Sequence, residues 1–293
     1  MNFKGRHSRR AVGRSWPALW RALVCVLVEG WTGSALAEAP RRVVSINLCT
    51  DQLVLALADR AQIAGLGRFA RHAEMSLLAR EAAAVPSLRG TAEEVLRLEP
   101  DLVLAGAFSG RATRAVLTSQ GVRLETFAPP RSFAEAKAEI VRAAALLGHP
   151  ERGGLLVAEI DAAAAVASEG TAKGKPALKA LLVQRRGFVS GRQTLVSAAV
   201  EATGLVNAAG SLGVSSVAHA PLETILKLRP DVLILEALGD ARDQASAFLL
   251  HPALNALRGQ SRVWRLPVAE VTCGGPALPL LLRRLGQLSR ELD

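Results

Sequence analysis

Apolar residues fall along this chain in two recurring arrangements, short continuous runs and longer stretches with helical spacing. The clearest instance is Thr91 to Gly106, TAEEVLRLEPDLVLAG, which is nearly repeated at 221 to 236 as PLETILKLRPDVLILE. A shift of 130 positions aligns Glu93 with Glu223, Leu96 with Leu226, Leu98 with Leu228, Pro100 with Pro230 and Asp101 with Asp231. Thr91 and Glu94 have capping-box spacing, so a hydroxyl and a carboxylate can satisfy orphan N–H groups at a helix start. Val95, Leu96 and Leu98 give that helix an apolar side, and Pro100 stops it by disfavouring helical geometry in the residue before it. Leu102, Val103 and Leu104 then form the continuous apolar run of a strand buried on both faces. Each copy reads helix, Pro-Asp break, strand, and the pair predicts a duplicated architecture.

The same patterns place the other elements. Arg42 to Ile46 is a strand that leads through Asn47–Asp51 into the helix QLVLALAD, and Gln62 to Gly67 is a second strand. A strand running directly into a helix start is where α/β folds hold ligands. After a loop at 107–111 come a helix to Gln120, a strand Arg123–Phe127, and a helix opened by Ser132 and Glu135 and stopped at Gly148. Residues 150–168 are alanine-rich without a strand signal, which favours one helix of about 28 Å, ended by Gly170–Lys175. Strand Ala177–Gln184, a hairpin or loop at GFVSGRQT, helix Leu195–Thr203 and a small-residue loop Asn207–His219 precede the second copy. A helix near Asp243–Leu250, a strand Arg262–Leu266 and a last helix opened by Pro276 complete the chain. The expected fold class is α/β: two similar α/β lobes with mostly parallel sheets, joined by one long α-helix. The expected boundaries are 38–148, 149–171 and 172–293.

Composition alters this picture at the N-terminus. Lys4, Arg6, Arg9, Arg10, Arg14 and Arg21, an apolar run Ala22–Val28 and Ala35-Leu36-Ala37 have the form of an export signal cleaved after Ala37. The apolar run is short of the ~20 residues of a membrane span, and Ser8-Arg9-Arg10 leaves twin-arginine and general export both open. Without residues 1–37 the charge is 30 basic against 25 acidic, or +5. With no Lys/Arg blocks, that balance is not a nucleic-acid footprint. Cys49 and Cys273 remain, either as a disulfide or as two buried thiols, since sequence separation does not decide whether their Cα atoms approach.

Signals for catalysis are weak. Gly65-Leu66-Gly67-Arg68-Phe69-Ala70 matches G-x-G-x-x-A but does not open a long helix and lacks the acidic residue about 20 positions on. Ser190 lies in GFVSG, which is not the G-x-S-x-G elbow of hydrolases. No convergent set of histidines and carboxylates marks a zinc site. No enzyme activity, catalytic residue, metal site or cofactor is expected, and the alternative reading is an α/β enzyme of unknown reaction or a haem- or divalent-metal-binding protein.

From VVSINLCTDQLVLALA through both Glu-x-x-L-x-L-x-P-D copies and the long helix to the C-terminal helix, the chain resembles the periplasmic substrate-binding proteins of ABC importers for vitamin B12, ferric siderophores and haem. The resemblance implies two lobes on one backbone helix with the ligand cleft between the lobes, a periplasmic location, and a monomer that delivers a metal chelate or corrinoid, a ferric siderophore or a vitamin B12-like molecule, to a permease dimer in the inner membrane. It also implies that Glu93 and Glu223 dock on permease arginines, which suits a carboxylate near a helix N-terminus. Ligand contacts are expected at strand ends facing the cleft: Asn47, Thr50, Arg68, Phe69, Phe108 and Arg111 from the first lobe, Gln193, Ser215, His219 and Leu238 from the second, and Thr272 where the chain returns. Arg68 and Arg111 would be donors to an anionic chelate. The chain has no tyrosine, which excludes haem ligation by that residue, and leaves His72 and His219 as a candidate pair across the cleft.

Overall fold

The structure, a computed structural model, describes residues 38–108, 110–169, 176–237 and 247–292. The leader, the Gly170–Lys175 helix stop and Leu238 lie outside the described residues. The first lobe runs β1 (Val43–Ser45), α1 (Leu48–Leu57), β2 (Ile63–Gly67), α2 (Ala79–Ala82), β3 (Ser87–Leu88), α3 (Ala92–Leu96), β4 (Leu102–Gly106), α4 (Arg111–Ser119), β5 (Leu124–Phe127) and α5 (Phe133–Leu147). Its sheet has the order β3-β2-β1-β4-β5 and is parallel throughout. The central strands are buried on both faces, as their continuous apolar runs require.

Next comes α6 (Pro150–Ser168), then the second lobe: β6 (Lys179–Val183), β7 (Phe188–Ser190), α7 (Leu195–Glu201), β8 (Val206–Asn207), β9 (Val217–His219), α8 (Leu222–Leu228), β10 (Val232–Ala237), α9 (Pro252–Ala256), β11 (Arg262–Pro267), α10 (Val268–Val271) and α11 (Leu278–Glu291). Its sheet has the order β11-β10-β6-β7-β9, with β8 also on β6. This sheet is mixed. Strands β10, β11, β6 and β8 run parallel, whereas β7 is antiparallel to both β6 and β9. The GFVSGRQT stretch is thus a hairpin arm, and the end of the expected 207–219 loop forms β9, because the exposed edge of β7 is completed there by Val217, Ala218 and His219. At 247–250 the described end of the expected Asp243–Leu250 helix is a short 3₁₀ turn.

The repeat is visible in the backbone. Helices α3 and α8 stop at Leu96 and Leu228, ahead of the prolines, and both Glu99 and Arg229 take φ of 44°. Asp101 accepts from the N–H groups of Arg41 (2.6 Å) and Arg42 (3.0 Å), and Asp231 accepts from the Lys179 N–H (2.8 Å). Each Pro-Asp aspartate therefore fastens the start of the neighbouring first strand of its lobe, β1 or β6. Thr91 caps α3 through the Glu94 N–H, but Glu94 reaches back to the amides of Arg89 and Gly90 rather than to that of Thr91.

Helices carry the connection between lobes. One apolar core includes Val43 and Leu104 of the first sheet, Leu182 and Ile234 of the second, and Ile140, Ile160 and Leu282 from α5, α6 and α11. Two glycines let α6 approach its neighbours. A Cβ on Gly153 would lie 2.5 Å from Ala144 Cβ of α5, and one on Gly286 would lie 2.8 Å from Ala167 Cα of α6. In a chain whose core is built from Ala, Leu and Val, such close crossings supply the packing that large aromatics would otherwise provide.

Candidate ligand cleft

Between the sheets lies a cavity of about 790 Å³, within the range of small-molecule sites. Its first-lobe wall is built at the carboxyl ends of β1, β4 and β5, where parallel sheets present ligand sites. Asn47 caps α1, its Oδ1 accepting from the Cys49 N–H at 3.0 Å. Thr50, one turn on, lines the wall and hydrogen-bonds to the Asn47 carbonyl (2.9 Å) and to Ser45 Oγ (2.7 Å). Phe108 follows β4 and is 85% exposed, an apolar ring standing free at the cavity. Phe127 is held by Arg142, whose guanidinium stacks 3.8 Å from the ring centroid and donates to the Thr126 carbonyl at 2.7 Å.

The second-lobe wall comes from Gln184, Ser190, Gln193 and the Ser216–Val217 edge. Gln193 is oriented by its own N–H, which donates to the Ser215 carbonyl at 2.6 Å. The stretch Val271–Gly275 forms the floor, and a Cβ on Gly274 would lie 2.6 Å from Leu195 and 2.8 Å from Pro130, so only hydrogen fits where the lobes meet. Cys49 and Cys273 are joined, with Sγ atoms 2.14 Å apart and Cα atoms 5.2 Å apart, tying the start of α1 to this floor.

Electrostatically the cavity is quiet. Among the described lining residues the charged ones are Arg131 and Glu139, and both are already paired, Arg131 with Glu135 (3.1 Å) and Glu139 with Arg142 (2.8 Å). Glu135 is held below the usual carboxylate range first by the Arg131 backbone N–H and then by its guanidinium. Neutral donors and acceptors do the polar work: Asn47, Thr50, Gln184, Gln193, Ser216 and Thr272.

Of the residues expected at the site, Asn47, Thr50, Phe108, Gln193 and Thr272 line the cavity. Arg68, Phe69, Arg111, Ser215 and His219 are not among its lining residues. Arg68 lies over the Phe69 ring at 4.6 Å, and Phe69 meets His72 edge-on, so that cluster closes on itself at the end of β2. His219 packs between Phe188 (6.0 Å) and Phe248 (6.4 Å) on its own lobe rather than reaching towards His72. Arg111 opens α4, behind Gly110 at φ 58°. Glu93 and Glu223 are exposed near the starts of α3 and α8. Among the described residues no group of His, Cys, Asp and Glu is placed to hold a metal ion, and no helix is long and apolar enough to cross a membrane.

Nothing in the amino-acid order singles out Asp51. A carboxylate in a helix first turn is ordinary, yet this one is 0% exposed. Its Oδ1 accepts from the Gly67 N–H at 3.2 Å, while Oδ2 has no hydrogen-bond partner among the described residues. Burial pushes its pKa up to about 7. The glycine of the G-x-G-x-x-A match thus serves a close approach, since a Cβ on Gly67 would lie 2.9 Å from Asp51 Oδ2, and a short 3₁₀ turn follows in place of a phosphate-binding helix.

A family model described as "Periplasmic binding protein" matches residues 43–259. The chain belongs to the periplasmic binding protein family. Relatives of this periplasmic binding protein include the cobalamin-binding proteins of two Halobacterium salinarum strains, each 26% identical over 226 residues, covering 76% of this chain and 61% of the relative. The chain thus spans about three fifths of the length of the curated relatives it matches. Among solved structures, the periplasmic haem-binding protein RhuT from Roseiflexus sp. RS-1 in apo form superposes with a TM-score of 0.69 at 24% identity, covering 86% of this chain and 98% of that one. A periplasmic haem-binding protein from Pseudomonas aeruginosa gives 0.70 at 23%, covering 86% and 93%. Helicobacter pylori Ceue with Ni(II) bound gives 0.69 at 16%, covering 87% and 85%. At these identities the structures establish the shared two-lobed fold, and the family is one of binding proteins.

Proposed function

We propose that this protein is the substrate-binding component of an ABC importer, that it captures a vitamin B12-like corrinoid in the cleft, and that it delivers it to a permease dimer in the inner membrane. The observation that carries this reading is the cleft's charge pattern: among the described lining residues the two charged ones, Arg131 and Glu139, are each already paired, and the other polar groups are neutral. A corrinoid of no net charge, rimmed by amides, suits such a wall, whereas an anionic ferric siderophore or the propionates of haem would need free cations. The name of the Halobacterium relatives, cobalamin-binding protein, supports the same choice. Phe108 supplies an exposed aromatic face for the macrocycle. On this reading the protein is a non-catalytic periplasmic monomer, exported with cleavage after Ala37, with lobes at 38–148 and 172–293 on a linking helix at 149–171.

The test is titration calorimetry and visible spectroscopy of the mature protein with cyanocobalamin, haemin and ferric siderophores. Micromolar or tighter binding of cyanocobalamin, with the anionic ligands at least about tenfold weaker, is expected. Preference for an anionic siderophore or for haemin would overturn the assignment.

A further inference from the structure

We propose that the Cys49–Cys273 disulfide is a clamp across the cleft floor that gates ligand exchange, so that a dithiol able to open it speeds both capture and release. The inference rests on the cavity between the sheets being the ligand site. Cys49 lies in the first turn of α1, directly after β1 of the first sheet, and Cys273 follows β11 and α10 of the second. Along the backbone the chain passes from one sheet to the other once, through α6. The disulfide is therefore a second covalent tie between the two halves, and both of its cysteines line the cavity.

A body held at one point rotates about any axis through it, whereas a body held at two points rotates only about the line that joins them. The tie is also short. Cα atoms joined by a disulfide reach at most about 6.8 Å, and these stand at 5.2 Å, so the floor parts by no more than about 1.6 Å while the bond is intact. What else holds the floor is non-covalent packing. A Cβ on Gly275 would lie 3.2 Å from Leu53 of α1, and Gly274 sits between Pro130 and Leu195. Dispersion contacts forfeit a quarter to a half of their strength over a gap of about 0.5–1 Å. Once the bond is cut, the floor is free to open further.

The bond is reachable from the cleft. Cys273 is buried, but Cys49 is partly exposed and belongs to the cavity lining. One thiolate of a dithiol attacks the Cys49 sulfur, which forms a mixed disulfide and releases Cys273 as a thiolate that takes up a proton. The second thiol then displaces Cys49 from the mixed disulfide. Two electrons and two protons have passed to the cysteines, and the dithiol is left as a disulfide. A ligand seated in the cleft covers the same route.

The experiment has a ligand-free arm and a ligand arm, with dithiothreitol as the dithiol and free thiols counted to confirm reduction. Phe108 and Val217 stand exposed on the two walls of the cavity. Spin labels placed there on ketone-bearing residues, a chemistry that spares cysteine, report the width of the cleft. Their distance distribution is expected to broaden to longer distances on reduction, and an unchanged distribution overturns the proposal. In the unlabelled protein, association and dissociation of cyanocobalamin are both expected to rise about tenfold on reduction, while Kd moves by less than about threefold. Rates that do not move overturn the gate, as does dissociation that rises alone, which marks a damaged site. Cys49→Ser with Cys273→Ser should show the fast rates without dithiothreitol and no response to it, which separates the clamp from any action of the reductant on the ligand. Should that variant fail to fold, the reduced unaltered protein carries both arms. If cyanocobalamin does not bind, the corrinoid assignment falls, and the spin-label distances, which need no ligand, still decide the clamp.

Discussion

Glu99 and Arg229, 130 positions apart, adopt the same left-handed φ of 44° immediately before a proline. A side chain with a Cβ is disfavoured there, and glycine is not. Glu99→Gly and Arg229→Gly are therefore expected to leave stability unchanged or raise it by up to about 1 kcal/mol each. Urea unfolding midpoints measure this, and a loss greater than about 0.5 kcal/mol at either site would contradict the shared geometry.

The Cys49–Cys273 bond closes 224 residues of chain and fastens the cleft floor to α1. Long closed loops gain most in the chain-entropy account, so Cys49→Ser with Cys273→Ser should cost about 2–5 kcal/mol. Dithiothreitol should lower the unfolding midpoint of the unaltered protein to that of the double variant and leave the variant's own midpoint in place.

For Asp51 the sign follows from a folded pKa raised from 3.8 to about 7. Between these values the folded protein keeps a proton that the unfolded chain has lost, so stability falls as pH rises and levels off above about pH 7. The total is on the order of 4 kcal/mol. Thermal unfolding across this range should show a slope that Asp51→Asn removes. A slope of unchanged size in the variant would assign the effect elsewhere.

Because Phe108 is 85% exposed, its removal has little packing to lose. Phe108→Ala should change stability by less than about 0.5 kcal/mol, yet weaken cyanocobalamin by roughly tenfold if the ring covers the ligand. Equal affinity in the variant would place the ligand away from β4.

If Glu93 and Glu223 dock on the permease, as we propose, binding separates from delivery. Glu93 and Glu223 lie on exposed faces outside the cavity lining, and Glu93 is held below its ordinary range by its own backbone N–H and by the Thr91 hydroxyl. Glu93→Ala with Glu223→Ala is expected to bind ligand with unchanged affinity and to fail in permease-dependent uptake. Uptake at the normal rate would remove the assignment.

Much of this was legible from local pattern. The apolar runs of β4 and β10, the stops at Pro100 and Pro230, the caps at Thr91 and Ser132 and the long α6 follow from interactions within a few residues, which the order of amino acids states directly. The duplicated stretch is equally local, and the role of its aspartates in fastening β1 and β6 is one step further, since their partners are 59 and 52 residues away.

Cleft membership is not local. Asn47 and Thr50 were recognisable because the β1–α1 junction is where parallel sheets present ligands, but Arg68 and Arg111 sit at comparable junctions and do not line the cavity. Whether a side chain reaches the cleft depends on how α5, α6 and α11 set one sheet against the other, and thus on crossings permitted by Gly153 and Gly286. By itself the sequence determined the elements, the repeat, the two-lobed α/β class and the paired acidic positions, because each rests on short-range backbone chemistry. The tertiary structure alone decided the joining of Cys49 to Cys273, the burial of Asp51 and the neutral character of the cleft, because each depends on atoms brought together from distant parts of the chain.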